Sequence, residues 1–209
     1  MYNPAHFVEQ RPEAIRALLS RCPLATLITS GGAGIEATHL PLLYFPDEAG
    51  HGVLRGHMAR ANPHWTQCRP GCEALAIFHG PQHYISPAWY ASKREHGRVV
   101  PTWNYVTVHA RGALVIRTEP EWLLENVAAL TDSQEQGRSP AWSVADAPAG
   151  FIDALLGSIV GVELTVNHIE GKWKLSQNRP AADRESVAAA LDALDTAEAR
   201  VMAALVRQA

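Results

Sequence analysis

The stretch GPQHYISPAWYASKREHGRVVPTWNYVTVHARG, residues 80–112, concentrates aromatic and histidine side chains. These are Tyr84, Trp89, Tyr90, Trp103 and Tyr105, with His83, His96 and His109 among them. When such side chains are buried, their N–H and O–H groups need hydrogen-bond partners. The stretch therefore predicts either a packed aromatic corner of a β core or a wall that faces a ligand, and residue types alone leave both open.

The two ends of this stretch indicate different structures. From Trp103 onward, β-branched and aromatic residues alternate in the way that is typical of a strand, which we expect to span 103–118. Pro87 cannot donate to a ladder, so the segment SPAWY is expected to turn out of a sheet edge.

Working outward, the preceding segments are typical of short strands joined by turns. We expect a helix from Pro12 to the Cys22-Pro23 stop, and strands over 24–29, 35–45, 51–58 and 73–79. A glycine-rich hairpin turn is expected at 30–34 and a short helix at 59–68, whose helical part begins at Pro63 if Asn62 caps it. This order predicts an antiparallel meander that closes as a small barrel.

The remaining segments add helices and one more strand pair. Thr118 and Glu121 have the spacing of a capping box, and a helix is expected after it, with Leu123, Val127 and Leu130 at helical spacing. A Pro- and Ala-rich loop at 137–149 and a short helix at 151–156 follow. A strand over 158–169 is expected to turn at Glu170-Gly171 and to return over 172–175. The tail after Pro180 is predicted helical, with Asp183 as its cap and an apolar stripe of Val187, Leu191, Leu194, Val201 and Leu205.

Composition bounds the class of protein. The 209 residues are 47% hydrophobic and 19% charged, which is typical of a globular protein that can bury a substantial core. Together with the predicted elements, this gives one mainly β domain over 1–209, with N-terminal and middle helices and a helical extension at 180–209. The net charge of −3 disfavours nucleic-acid binding through a basic face. No apolar run reaches the ~20 residues of a membrane span and no leader is evident, so we expect a cytoplasmic protein.

Motifs for metal binding and common catalysis are not found. Cys22, Cys68 and Cys72 are too few for a disulfide framework and are expected to be reduced, and the Cys68/Cys72 pair lacks further ligands at a metal-site spacing. The sequence contains no Ser/His/Asp signature, HExxH motif or nucleotide-binding glycine fingerprint. We therefore predict no metal site and assign no catalytic residue.

Three polar segments, one within a predicted strand and two at strand ends, are more informative. They are Thr38–Pro41, where proline removes an amide, residues 56–63, which contain Arg60, and residues 172–179, which contain cations and amides. Together they suit an aromatic cofactor with a phosphate tail.

These segments also resemble a known family. MYNPAHF at 1–7, THLPL at 38–42, GHMARANPHW at 56–65, GPQHYISPAWY at 80–90, VPTWNYVTVHARG at 100–112 and GKWKLSQNR at 171–179 are similar to the PaiB-type FMN-binding negative transcriptional regulators. The resemblance implies an antiparallel, Greek-key-like split β-barrel of the flavin-binding type. It also implies a homodimer with FMN between subunits, and a regulatory role in sporulation and protease production.

The resemblance to flavin split barrels assigns site residues as well. It implies that the Thr38–Pro41 segment, with His39 and Leu40, lines the flavin ring through backbone contacts. His57, Met58, Ala59 and Arg60 would hold the phosphate. A second group is implied to come from the partner subunit: Trp103, Asn104, Lys174 and Gln177.

Two other functions stay open. One is a flavin-dependent oxidoreductase or flavin reductase, because the flavin itself carries the hydride chemistry. The other is a haem-binding module, with His39, His57 or His109 as the axial ligand. Direct DNA binding follows from the family name, but the sequence lacks a helix-turn-helix with basic residues and has negative net charge.

Overall fold

The computed structural model describes residues 1–32, 34–148 and 150–209. Its described residues form seven strands: β1 Val8–Glu9, β2 Leu24–Gly31, β3 Gly34–Phe45, β4 Val53–Ala59, β5 Cys72–Ile85, β6 Thr102–Arg117 and β7 Ile159–Lys174. The helices are α1 Pro12–Arg21, α2 Lys93–His96, α3 Pro120–Glu135, α4 Phe151–Leu156, α5 Ala181–Asp192 and α6 Ala197–Gln208. This confirms the mainly β class with peripheral helices. The predicted turn at 30–34 and loop at 137–149 include Ala33 and Ala149, which lie outside the described residues.

Contacts divide the chain into two compact units. Residues 16–78 and 109–169 form one, which we call the barrel unit. Residues 1–15, 79–108 and 170–209 form the other, which we call the terminal unit. That the whole chain behaves as a single domain stays a prediction.

The strand order of the barrel unit is that of an antiparallel split barrel. β2, β3 and β4 pair in sequence, but β5 returns beside β2, where Ala25 pairs with Phe78, while β7 lies beside β4. β6 pairs with both β5 and β7, which closes the ring of strands. The order predicted from the turns, a simple meander, is therefore wrong, and the Greek-key-like barrel is confirmed.

Close backbone approach and apolar packing hold this ring together. A Cβ atom at Gly112 on β6 would lie 1.9 Å from the Thr165 carbonyl oxygen on β7, so only glycine fits there. Inward residues of the strands are fully buried, among them Leu27, Leu42, Leu54, Phe78, Val108 and Leu164. Burial of such side chains is the main favourable term in folding.

In the barrel unit one predicted helix start and one predicted helix are corrected, and one predicted cap is confirmed. The capping box at Thr118 does not form, because α3 begins at Pro120 and the Thr118 N–H donates to the Glu119 carboxylate over 2.9 Å. The helix predicted over 59–68 is only a 3-10 turn, Pro63–Gln67, because β4 runs on to Ala59. Asn62 caps that turn, as predicted from the following proline: its side-chain oxygen accepts from the His64 N–H over 2.9 Å.

Long-range contacts change three predictions in the terminal unit. The turn at Glu170-Gly171 is absent because β7 continues to Lys174, and β1 pairs there, Val8 with Lys172. Asp183 does not cap the tail helix, because its carboxylate accepts from Ser92 N and Oγ over 2.8 and 2.7 Å. The tail forms two helices, α5 and α6, which pack on each other, and Leu194 and Val201 of the predicted stripe are about half exposed, at 45% and 48%.

Candidate functional site

The ladder between β3 and β4 stops partway along both strands. Their pairing runs from Phe45–Val53 only to Leu42–Gly56. Beyond it, β3 continues against β2 and β4 continues to Ala59 against β7, and the described residues show no pairing between these extensions. Pro41, which lacks an N–H, lies where the ladder ends. Backbone groups on the facing sides of the two extensions are therefore available to a ligand or to water.

A buried histidine fixes the side chain of Thr38 beside this opening. His64 is 1% exposed, and its Nδ1 and Nε2 atoms lie 2.8 Å from the hydroxyl oxygens of Thr38 and Thr29. Asn62 Nδ2 donates to the same Thr38 oxygen over 3.1 Å. Burial lowers the pKa of His64 and so favours the neutral ring. The charge of Glu36 acts in the opposite direction but has the smaller effect.

Arg60 fastens the end of β4 to the segment that precedes β7. Its Nε donates to the Gly157 carbonyl over 2.8 Å and its Nη2 to the Ile159 carbonyl over 3.0 Å. The Arg60 backbone N–H also donates to Ser158 O over 2.8 Å. Of the guanidinium nitrogens, Nη1 has no bond of this kind among the described residues and can donate to an anion.

The other predicted residues of the barrel unit differ in what their side chains can reach. Leu40 and Met58 are core residues, 2% and 5% exposed, so they can meet a ligand mainly through their backbone. His39 is exposed and its Nδ1 lies 3.0 Å from Thr26 Oγ1, and Ala59 is exposed at the strand end. His57 is half-buried, with Nδ1 3.2 Å from Asn126 Nδ2, and burial lowers its pKa.

Two of the predicted residues of the terminal unit share a pocket of about 100 Å³. Lys174 Nζ donates to Thr102 Oγ1 over 2.6 Å. Asn104 is fully buried and its amide lies 3.0 Å from Ser176 Oγ. Burial lowers the pKa of Lys174, and the described residues offer it no carboxylate partner.

Trp103 and Gln177 do not join that pocket. Trp103 is 47% exposed, stacks edge-to-face on Tyr84 with ring centroids 6.0 Å apart, and donates to Gln82 over 3.1 Å. Gln177 uses both ends of its amide on its own loop, accepting from Leu175 N over 2.8 Å and donating to Trp173 O over 2.7 Å. Its observed role is therefore to shape the loop after β7.

Sequence reasoning missed several residues beside the predicted ones. In the terminal unit these are Tyr90, Thr102, Ser176 and Arg179, which line the pocket, and in the barrel unit they are Asn62, His64 and Asn126. Asn62 and His64 lie inside the quoted segment GHMARANPHW, and Arg179 ends the segment GKWKLSQNR. No sequence pattern indicates Asn126, because this residue lies in α3 and meets His57 only through the tertiary structure.

Cys68 is not a reactive thiol. All three cysteines are free, and burial raises the pKa of Cys68 to about 11. A thiol with so high a pKa is a poor nucleophile at neutral pH. The described residues also contain no cluster of His, Cys, Asp and Glu that could hold a metal ion.

Comparisons with known proteins agree with this geometry. The family model described as "Putative FMN-binding domain" matches residues 1–168. The Bacillus subtilis protein named "Protease synthase and sporulation protein PAI 2" is 32% identical over 206 residues, covering 99% of this chain and 96% of that protein.

Solved structures share the fold at low sequence identity. The FAD and heme binding protein from Mycobacterium smegmatis has a TM-score of 0.61 and 17% identity, covering 87% of this chain and 79% of that one. The flavocytochrome Anf3 from Azotobacter vinelandii has a TM-score of 0.59 and 12% identity, covering 80% and 69% of the two chains.

The antiparallel barrel with its interrupted β3–β4 ladder, taken together with the matching family model, defines a split-barrel protein of the flavin-binding class. Because the family model matches residues 1–168, this chain belongs to the family described as "Putative FMN-binding domain". The donors of the opening suit such a group, since they offer backbone N–H and C=O groups to a ring edge, and Arg60 Nη1 can donate to a phosphate.

Proposed function

We propose that this chain is a cytoplasmic, homodimeric FMN-binding protein that acts as a negative transcriptional regulator, with an output that depends on the bound flavin. The observation that carries the flavin site is the β3–β4 ladder that ends at Leu42–Gly56, which leaves the backbone groups of 38–41 and 57–59 that face each other without a strand partner. The regulatory part is supported by the similarity to the PAI 2 protein. None of the described helices has both the length and the hydropathy for a membrane crossing.

Each predicted residue has a role in this proposal. Thr38, His39 and Leu40 contact the flavin ring through their backbone, while the end of β4, with Arg60, meets the phosphate. Trp103, Asn104, Lys174 and Gln177 are assigned to the second copy of the chain. FMN supplies hydride and electron chemistry when bound, and the protein supplies binding and electrostatics.

A flavin titration of the purified apoprotein tests this proposal. We expect FMN to bind with quenched fluorescence and to give a yellow protein, and we expect riboflavin to bind more weakly because it lacks the phosphate. A protein that takes up no flavin would refute the proposal, and a Soret band after incubation with haem would favour the haem alternative. NAD(P)H oxidation with added FMN, compared with a gel shift on upstream DNA, separates an oxidoreductase from a regulator.

Arg60→Ala tests the phosphate contact. Loss of one charge-assisted hydrogen bond should weaken FMN binding by about 10-fold or more and leave riboflavin binding nearly unchanged. Arg60→Lys, which keeps the charge, should retain part of the preference for FMN. Arg69→Ala, an exposed arginine of the same unit, is the matched control. Equal losses for FMN and riboflavin would assign Arg60 only to the carbonyl contacts at Gly157 and Ile159.

A further inference from the structure

The pocket of the terminal unit is lined by two cationic side chains that have no carboxylate partner among the described residues. Lys174 and Arg179 both line it, and within the part of the chain that the structure describes neither forms an ion pair with a carboxylate. The nearby carboxylate of Asp183 is 1% exposed and already accepts two hydrogen bonds from Ser92. A pocket with unpaired cations attracts an anion.

Neutral donors surround the same space. Thr102 holds Lys174 Nζ at 2.6 Å, which leaves further ammonium N–H groups free to donate. Ser176 and Asn104 are buried and bonded to each other. Hydroxyl, ammonium and guanidinium donors in one place are the usual ligands of phosphate oxygens.

Tyr90 and Ser176 indicate that the pocket is built for a ligand. Tyr90 is 2% exposed and lines the pocket, and the Arg179 guanidinium approaches its hydroxyl without completing a hydrogen bond of ordinary geometry. The Arg179 guanidinium lies 4.6 Å from the centre of the Tyr90 ring. Ser176 holds a left-handed backbone conformation, with φ of 68°, which non-glycine residues rarely adopt and which is frequent at binding sites.

We propose that this pocket binds a phosphate-type oxyanion through Lys174, Arg179 and Thr102. Its volume of about 100 Å³ is below the usual range for a whole cofactor and fits a single phosphate group with some water. The group can belong to the flavin or to a separate phosphorylated ligand. The oxyanion site is argued from the pocket alone. If the phosphate is that of the flavin, the inference rests on the proposed function and adds Arg179 and Thr102 to the residues that bind FMN.

Binding of inorganic phosphate, measured by calorimetry at constant ionic strength with chloride as the reference anion, tests the site. Lys174→Met and Arg179→Gln should each weaken phosphate binding by about 10- to 100-fold, the effect of one charge-assisted bond. Lys93→Met removes the same charge from an exposed site in the same unit and should bind like the native protein. Thr102→Val, which keeps all charges, should give a smaller loss.

Phosphate binding that is absent from the native protein, or equal in Lys174→Met and Lys93→Met, would overturn the proposal. A second titration identifies the source of the phosphate. If it belongs to the flavin, inorganic phosphate competes with FMN but not with riboflavin, and Lys174→Met weakens FMN alone. If it belongs to another ligand, FMN-loaded protein still binds phosphate. Phosphate binding by a protein that takes up no flavin would keep this site and refute the flavin proposal.

Discussion

His57 and His64 are held neutral in the barrel unit by the same physical cause. Burial lowers the pKa of both rings, and each has hydrogen-bond partners that suit an uncharged imidazole: Asn126 for His57, and Thr29 and Thr38 for His64. Charging either ring costs desolvation that the unfolded chain does not pay. Protonation of these two rings in acid therefore destabilises the folded state relative to the unfolded chain.

We expect the stability of the protein to fall as the pH drops below about 6.5. The folded pKa of His64 is lowered, so the unfolded state binds protons first, and the stabilisation present above the unfolded pKa is lost toward the folded pKa. His64→Gln should reduce this dependence in urea unfolding, whereas His51→Gln, at an exposed position of the same unit, should not. An unchanged pH dependence in His64→Gln would contradict the assignment.

At this scale the sequence predicts local contacts and misses distant ones. Asn62 was predicted as a cap because Pro63 follows it directly, and the bond to His64 N confirms this. Asp183 was predicted as a cap from its position near the start of the tail helix, but its carboxylate binds Ser92, which is 91 positions away. A carboxylate near a helix start has several competing donors, and only the tertiary structure decides between them.

Among the strands, β7 carries a carboxylate that two arginines of neighbouring strands share. Glu163 accepts from Arg55 Nε on β4 over 2.7 Å and from Arg117 Nη2 at the end of β6 over 2.5 Å. Burial alone would raise the pKa of Glu163, but the hydrogen bonds from Arg117 and Arg55 outweigh it and lower the pKa. The carboxylate thus links β7 to β4 and β6.

Glu163→Gln should destabilise the protein at neutral pH by about 1–3 kcal/mol, because a buried, charge-assisted pair of bonds is lost. The lowered pKa means that this stabilisation is present above the ordinary value of 4.5 and disappears as the pH falls through the folded pKa. The native protein and the variant should therefore converge in acid. Glu185→Gln, which breaks an exposed ion pair with Arg207, is the control and should change little. A constant difference at all pH values would contradict the linkage.

Strand lengths show where periodicity stops being informative. The alternation of 103–118 predicted β6 to within a residue at each end, because one strand alone determines that pattern. β7 was cut short at Glu170-Gly171, since that pair is typical of a turn, and the partner that keeps it extended is β1 from the other end of the sequence. The opening beside Pro41 was predicted from the missing amide, but its length depends on where β3 and β4 stop pairing.

For the molecule as a whole, the boundary between the two units falls inside β5, β6 and β7. Unfolding one unit would therefore break strands that the other unit also contains. The single domain predicted from the sequence requires that the two units unfold together.

Calorimetry should give one unfolding transition with equal calorimetric and van't Hoff enthalpies. Met202→Ala, at a fully buried position of α6, should cost about 2–5 kcal/mol and shift that single transition. Val201→Ala is the matched control, since Val201 is 48% exposed. Two transitions, of which Met202→Ala moves only one, would contradict the single-domain prediction.

The end of the β3–β4 ladder has a consequence for how this protein would be studied by mutagenesis. Every amino acid except proline carries the same peptide atoms, so substituting Leu40 or Met58 changes the core and leaves the facing peptide groups in place. A deep mutational scan would record these positions as tolerant or merely destabilising. Substitution by proline, or replacement of a backbone amide by an ester, removes a main-chain N–H and would reveal hydrogen bonds between the backbone and a bound ligand.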